Sequence, residues 1–298
     1  MKDIIENIKA MYQRGGMFLK LIFINIGVFF GLNILDVFLD LMQVPTLGLS
    51  SWFSFDSNLL GNLLKPWSIL TYMFIHAGFR HLLFNMIILF FIGGIFEQFF
   101  GRKRVLSTYI IGGLFGAILY LLTQNTFPLL INSGASTLVG ASAAVMALFV
   151  GVATYRPNLE MALFGVFNVK LYVLAFAYVG LDILSLGSLD GVAHFAHLGG
   201  AAWGFYMGNN YKNGKDVSIW FDKLTLMMTS IVKRKPKMKV SYRDKTSKKT
   251  KQKPPRNDYD YNAKKQNEQQ KLDAILDKIK VGGYEALTTK EKEFLANF

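Results

Sequence analysis

The run LVGASAAVMALFVGVAT, residues 138–154, carries no charge, and its serine, Ser142, stands among glycines and alanines. About 17 predominantly apolar residues are enough to cross a hydrocarbon core, so this stretch reads as a membrane span. Five further runs of the same kind are Met17–Leu35, His81–Phe96, Val105–Leu122, Leu171–Leu186 and Ala193–Tyr206. The pattern predicts an all-α polytopic membrane protein with six transmembrane helices. Several runs are short and contain polar residues, which suits spans buried by their neighbours.

Composition agrees: 52% of the 298 residues are hydrophobic. Cysteine is absent, so no disulfide framework exists. Residues 1–16 are polar and periodic and no cleavage site of small residues follows, so the first apolar run reads as a retained span rather than a signal peptide. The net charge of +13 is uneven. Residues 1–211 hold 11 Lys/Arg and 9 Asp/Glu, whereas residues 212–298 hold 22 and 11. The basic character therefore belongs to the tail.

Loop charge sets the direction of the spans. Lys2, Lys9, Arg14 and Lys20, then Arg102–Arg104, then Arg156 and Lys170, and finally the basic tail all fall on one side if the spans alternate. That side is cytoplasmic, and it holds both termini. Lys65 and Arg80 are the basic residues of the opposite loops. With this direction His81, Asn85, Ser142 and His197 reach a similar depth in the outer half of the bilayer, on spans two, four and six.

Small residues at close spacing pack helices together. Ala143 and Ala147 follow Ser142, while Gly199, Gly200 and Gly204 follow His197, so spans four and six are expected to touch and to bring a serine beside a histidine. Ionisable residues at membrane depth are functional candidates. A serine hydroxyl needs a base to take its proton; His197 fills that role and can then protonate a leaving amine. The oxyanion formed by attack needs preplaced donors, available from His81, from the Asn85 amide one turn on, and from the Ser142 backbone N–H. No acidic residue stands near His197 in sequence and Asp190 reads as solvated, so a Ser142–His197 dyad is expected rather than a triad.

A metal enzyme or transporter is the rival class, because all four histidines lie on one side. Oxygen ligands are scarce at that depth and thiols are absent, and a four-histidine site would leave Ser142 and Asn85 without roles. No metal or other cofactor is expected.

The set Trp67, His76, His81-x-x-x-Asn85, Gly93-Gly94-x-x-Glu97-x-x-x-Gly101, Gly140-x-Ser142 and Ala196-His197-x-x-Gly200-x-x-x-Gly204 resembles the rhomboid family of intramembrane serine proteases, in its bacterial six-span form. The resemblance covers roughly residues 15–210. It implies Ser142 as nucleophile, His197 as general base, and an oxyanion hole of His81, Asn85 and the Ser142 amide. Gly140, Met146, Gly200, Trp67, His76 and His194 would support the site. Residues 44–66 would be the membrane-embedded first loop and residues 187–192 the mobile cap. Substrates would be transmembrane segments of other proteins, cut near their outer ends, and the location the bacterial inner (plasma) membrane. A family member that only binds transmembrane helices is the alternative reading.

Three positions depart from the family pattern. Ala143 stands where glycine is common and would crowd a substrate backbone. Met146 replaces an aromatic that packs on the histidine and would hold His197 less rigidly. Ser68 follows Trp67 where arginine is common.

Other polar residues read as structural. Glu97 is expected to hydrogen-bond at the inner end of span two, and His76 to brace the first loop. His194 reads as wetted at the outer mouth and Asp182 as solvated at the interface. Arg102–Arg104 are explained by topology. The first loop, with Trp52, Phe53, Leu59, Leu60, Leu63 and Leu64, is expected in the bilayer interface, as is an amphipathic helix within residues 1–16.

The tail divides in two. Residues 212–266 read as a basic, largely disordered linker suited to contact with anionic lipid; nothing in it supports nucleic-acid binding. Residues 267–298 read as a short helical module for a cytoplasmic partner. Asn267 is its expected N-cap, Gly282-Gly283 its expected stop, and Thr288–Glu291 a capping box.

Overall fold

The computed structural model describes residues 2–44, 48–163, 166–232 and 258–296. They fall into two compact units, residues 1–234 and 235–298.

The first unit begins with α1 (Lys2–Arg14) and α2 (Met17–Leu41). Gly16 offers no capping side chain, and Glu97 does that work from another helix: its carboxylate accepts the N–H of Met17 at 2.6 Å and pairs with Arg102 at 3.1 Å. Glu97 is thus the structural residue the sequence suggests. Asn25, fully buried, donates to the Leu21 carbonyl (2.8 Å) and to Tyr109 (3.2 Å), so its amide N–H groups are paired while its side-chain oxygen is not.

The first loop is built rather than irregular: α3 (Leu49–Phe53), β1 (Phe55–Asp56), α4 (Leu59–Leu64) and α5 (Ser68–Thr71). Leu59, Leu60, Leu63 and Leu64 are all exposed, an apolar edge made for lipid rather than water. Trp67 donates its indole N–H to the Trp52 carbonyl at 2.8 Å and so ties the loop's two ends.

Then come α6 (Phe79–Phe100), α7 (Arg102–Gln124), α8 (Pro128–Asn132), β2 (Thr137–Leu138) and α9 (Ser142–Tyr155). A hairpin of β3 (Glu160–Leu163) and β4 (Phe167–Lys170) leads to α10 (Leu171–Leu184), α11 (His194–Lys212) and α12 (Ile219–Val232). By length and composition α2, α6 and α7 are long and apolar enough to cross a membrane; α9 and α10, of 14 residues each, are shorter apolar helices. The architecture is a polytopic all-α membrane bundle, with α2, α6, α7, α9, α10 and α11 as its six spans.

The length of α9 matters. Fourteen residues rise about 21 Å, short of a hydrocarbon core of about 30 Å. A short helix is tolerated because its neighbours shield it: Ala143 through Ala153 are all buried. The span expected to begin at Leu138 begins at Ser142 instead. Residues 137–138 pair with β1, with Phe55 opposite Leu138, and the Gly140 N–H is spent on the Tyr72 carbonyl at 2.9 Å. The helix therefore starts below the rim of the bundle and leaves a depression above it.

Glycines let α11 lie against α9 and α7 at backbone distance. A Cβ at Gly200 would sit 2.0 Å from the Ala143 carbonyl oxygen, and one at Gly204 would sit 2.3 Å from that of Ala147. The expected contact of spans four and six is thus made by backbone meeting backbone.

Two readings of the basic loops and tail need correction. Arg104 is not placed by topology alone: buried, it pairs with Asp216 at 2.7 Å and Asp222 at 2.6 Å. Those pairs hold α12, which lies where the sequence suggests a disordered linker; of its apolar side chains Phe221 is buried, whereas Ile219, Trp220 and Leu224 are exposed. The basic segment 233–257, with its expected lipid contact, lies outside the described residues.

The second unit holds α13 (Asp258–Gly282) and α14 (Thr289–Ala296). The helix expected to start at Asn267 starts at Asp258, because no glycine or proline interrupts residues 258–281. It ends at the glycine pair, where Gly283 takes a φ of 72° that an L side chain resists. The Thr288 N–H and hydroxyl both donate to the Glu291 carboxylate (2.9 and 2.8 Å), and the Glu291 N–H donates back to the Thr288 carbonyl at 3.0 Å. This is the Glu291 half of a capping box: the Thr288 hydroxyl donates to the carboxylate instead of accepting the Glu291 N–H. Lys278 of α13 pairs with the same carboxylate.

Candidate active site

The depression above α9 is a cavity of about 370 Å³ whose lining includes His81, Asn85, Ser142, Tyr178 and His197. The four residues singled out in the sequence are thus brought together. Ser142 opens α9, so its backbone N–H is one of the helix's unpaired donors. Gly140, two residues earlier, has a φ of 119°, and a Cβ there would meet the His81 ring at 2.6 Å. Only glycine allows both that turn and the close approach of His81. Asn85 is buried and donates one amide hydrogen to the His81 carbonyl at 2.9 Å; its second amide hydrogen remains for a ligand in the cavity. His76 is buried edge-on to His81, with ring centres 5.1 Å apart, and braces that ring.

His197 is 6% exposed, one turn before Gly200 on α11. Its Nδ1–H donates to Asp182 Oδ1 at 2.9 Å. That bond leaves the lone pair on Nε2, the nitrogen a neighbouring hydroxyl needs. Ser142 and His197 share the cavity without a hydrogen bond between them among the described residues; contacts of this kind tighten when substrate is bound.

Asp182 corrects the sequence reading in three ways. It is 3% exposed rather than solvated at the interface. It gives His197 the carboxylate partner that the chain near His197 lacks. It also accepts from His194 Nδ1 at 2.6 Å, so His194 is half-buried and bonded rather than merely wet. Asp190 is exposed as expected, yet it reaches His194 Nε2 at 3.3 Å. The rival four-histidine grouping does not form among the described residues; the cluster with metal-ligating spacing is Asp182, His194 and His197.

Residues 64–212 match the Rhomboid domain. The chain belongs to the rhomboid family. Residues 257–298 match a family of unknown function, DUF6576. RHOMBOID-like protein 7 of Arabidopsis thaliana is 38% identical over 146 residues, 48% of this chain and 42% of that protein. RHOMBOID-like protein 2 of the same plant is 39% identical over 145 residues, again 48% and 42%. Rhomboid protease AarA of Providencia stuartii is 29% identical over 214 residues, 66% of this chain and 73% of that protein. The chain thus spans less than half the length of these plant relatives.

Within the rhomboid domain two departures from the family pattern change meaning. Ala143 does not crowd the cavity: its methyl group turns to α7, where a Cβ at Gly116 would meet it at 2.6 Å. Met146 is buried away from the cavity lining, and the aromatic beside His197 comes from α10 instead. That residue is Tyr178, edge-on at 6.1 Å. Sequence reasoning passed over Tyr178 and misjudged Asp182. One signal was available for the second: Asp182 is the sole charged residue within residues 171–184, and such residues are rarely idle.

Proposed function

We propose that this rhomboid is an active intramembrane serine endopeptidase that cleaves transmembrane segments of other membrane proteins. The observation that carries the reading is the Asp182–His197 bond beside Ser142 at the head of a short, buried helix. Asp182 fixes the His197 tautomer, and Nε2 takes the Ser142 proton as Oγ attacks the scissile carbonyl carbon. The new oxyanion is received by the Ser142 N–H, the Asn85 amide and His81. His197 then protonates the leaving amine as the C–N bond breaks. Water, deprotonated by His197 in turn, hydrolyses the acyl-enzyme and regenerates Ser142.

The short α9 is what lets water reach this depth. The cavity lies on the side opposite the basic loops, so the cut falls near the outer end of a substrate segment. The loop charges support cytoplasmic termini in a bacterial inner membrane, with the DUF6576 unit presented to a cytoplasmic partner.

Labelling of the membrane-embedded chain with a fluorophosphonate, which phosphonylates activated serines, tests the reading. Modification mapped to Ser142 and lost in His197→Ala supports it. An unreactive Ser142 in folded protein favours a chain that binds transmembrane helices without cutting them.

A further inference from the structure

Asp182, His194 and His197 put three ligand atoms within 4.8 Å of one another, and Asp182 Oδ1 faces the Nδ1 atom of each histidine. Three protein ligands of this mixture, leaving a fourth position open, are what zinc accepts outside closed structural sites. Oδ1 lies 2.6 and 2.9 Å from the two nitrogens. Ligand bonds of about 2.1 Å need donors about 3.4 Å apart, a spreading of well under an ångström on average.

Two further observations point to a cation. The second oxygen of Asp182, Oδ2, is buried without a hydrogen-bond partner, and buried charge is normally paired or bound to metal. In addition, His194 Nε2 lies 3.3 Å from the exposed Asp190 carboxylate. Histidines that ligate metals almost always give their other ring nitrogen to such a partner. The ligands and an outer support are therefore both present where α10 meets α11.

We propose that Asp182, His194 and His197 form a binding site for a divalent transition-metal ion of the zinc class, and that filling it switches the protease off. The switch rests on the protease reading above and follows from one proton. Without metal, neutral His197 carries its ring proton on Nδ1, bonded to Asp182, and Nε2 is free to accept from Ser142. With metal on Nδ1, the single ring proton of neutral His197 must sit on Nε2, which can then only donate. His197 remains neutral, and the base is lost without moving the ring away. Metal would thus inhibit rather than assist.

The site is tested by zinc retention in the full chain, reconstituted without added affinity histidines and carrying Ser142→Ala so that activity plays no part. One zinc per chain after equilibrium dialysis is expected. Asp182→Asn or His194→Gln in that background should weaken retention by at least the 10–100-fold, roughly, that loss of an outer-shell partner alone costs. Retention that ignores both substitutions, or no retention, overturns the site. The switch is read separately, as cleavage by the wild type with zinc and then with excess chelator. Inhibition reversed by chelator supports it; cleavage indifferent to zinc that is bound at these residues overturns it. Zinc held by these residues in a wild type that cleaves nothing under any condition would sink the protease reading, and with it the switch, and leave the site standing.

Discussion

Oδ1 of Asp182 accepts the Nδ1–H of His197 at 2.9 Å, although the two residues lie on different helices, 15 positions apart. A carboxylate at this depth is costly to bury, and this one is 3% exposed. Its bond decides which ring nitrogen of His197 carries the proton.

Asp182→Asn tests that role. Asparagine keeps the shape but offers both a donor and an acceptor, so His197 can settle in the wrong tautomer. We expect cleavage to fall by as much as about 10⁴-fold, the scale known for the corresponding change in a serine-protease triad, mostly in kcat rather than KM. An unchanged kcat would show that His197 needs no such partner.

Gly200→Ala tests how the site is assembled. The added methyl would lie 2.0 Å from the Ala143 carbonyl oxygen, which is backbone and cannot swing away. α11 must then separate from α9. Overpacking of this kind costs about 1–3 kcal/mol, and thermal unfolding in detergent should begin at a lower temperature, with activity lost alongside. An unchanged unfolding temperature would mean that the two helices are not held at backbone distance.

The C-terminal unit makes a prediction in pH. Lys278, with the Thr288 N–H and hydroxyl, holds the Glu291 carboxyl down from 4.5 to about 2. A carboxyl lowered by folding adds stability that is present above its ordinary value and lost as pH falls through the folded one. Protection of the α14 amides in the full chain, read by hydrogen exchange, should therefore fade between pH 4.5 and about 2. Glu291→Gln should lack that dependence. Equal fading in both would assign the loss to other groups.

Much of this was legible in the sequence for a physical reason. Apolar runs report burial in lipid directly, and glycines such as Gly200 and Gly204 report close helix contact, so the bundle and the meeting of Ser142 with His197 could be read from periodicity and spacing. Asp182 and Tyr178 could not be placed that way. Their roles depend on the rotation of α10 against α11, which no local pattern encodes. The same holds for Arg104, whose acidic partners Asp216 and Asp222 lie more than a hundred residues on. Met146 misled because the position of an aromatic was assumed to be fixed, whereas the space beside His197 is filled from another helix.

The most direct measurement is cleavage of a single-span protein in proteoliposomes by the wild type, Ser142→Ala and His197→Ala, each with and without chelator. We predict cleavage by the wild type that survives chelation. Loss of either residue should lower it on the order of 10⁶-fold, as when a serine protease loses its nucleophile or base, to below detection. Cleavage that persists in folded Ser142→Ala, or that disappears on chelation, would contradict the account.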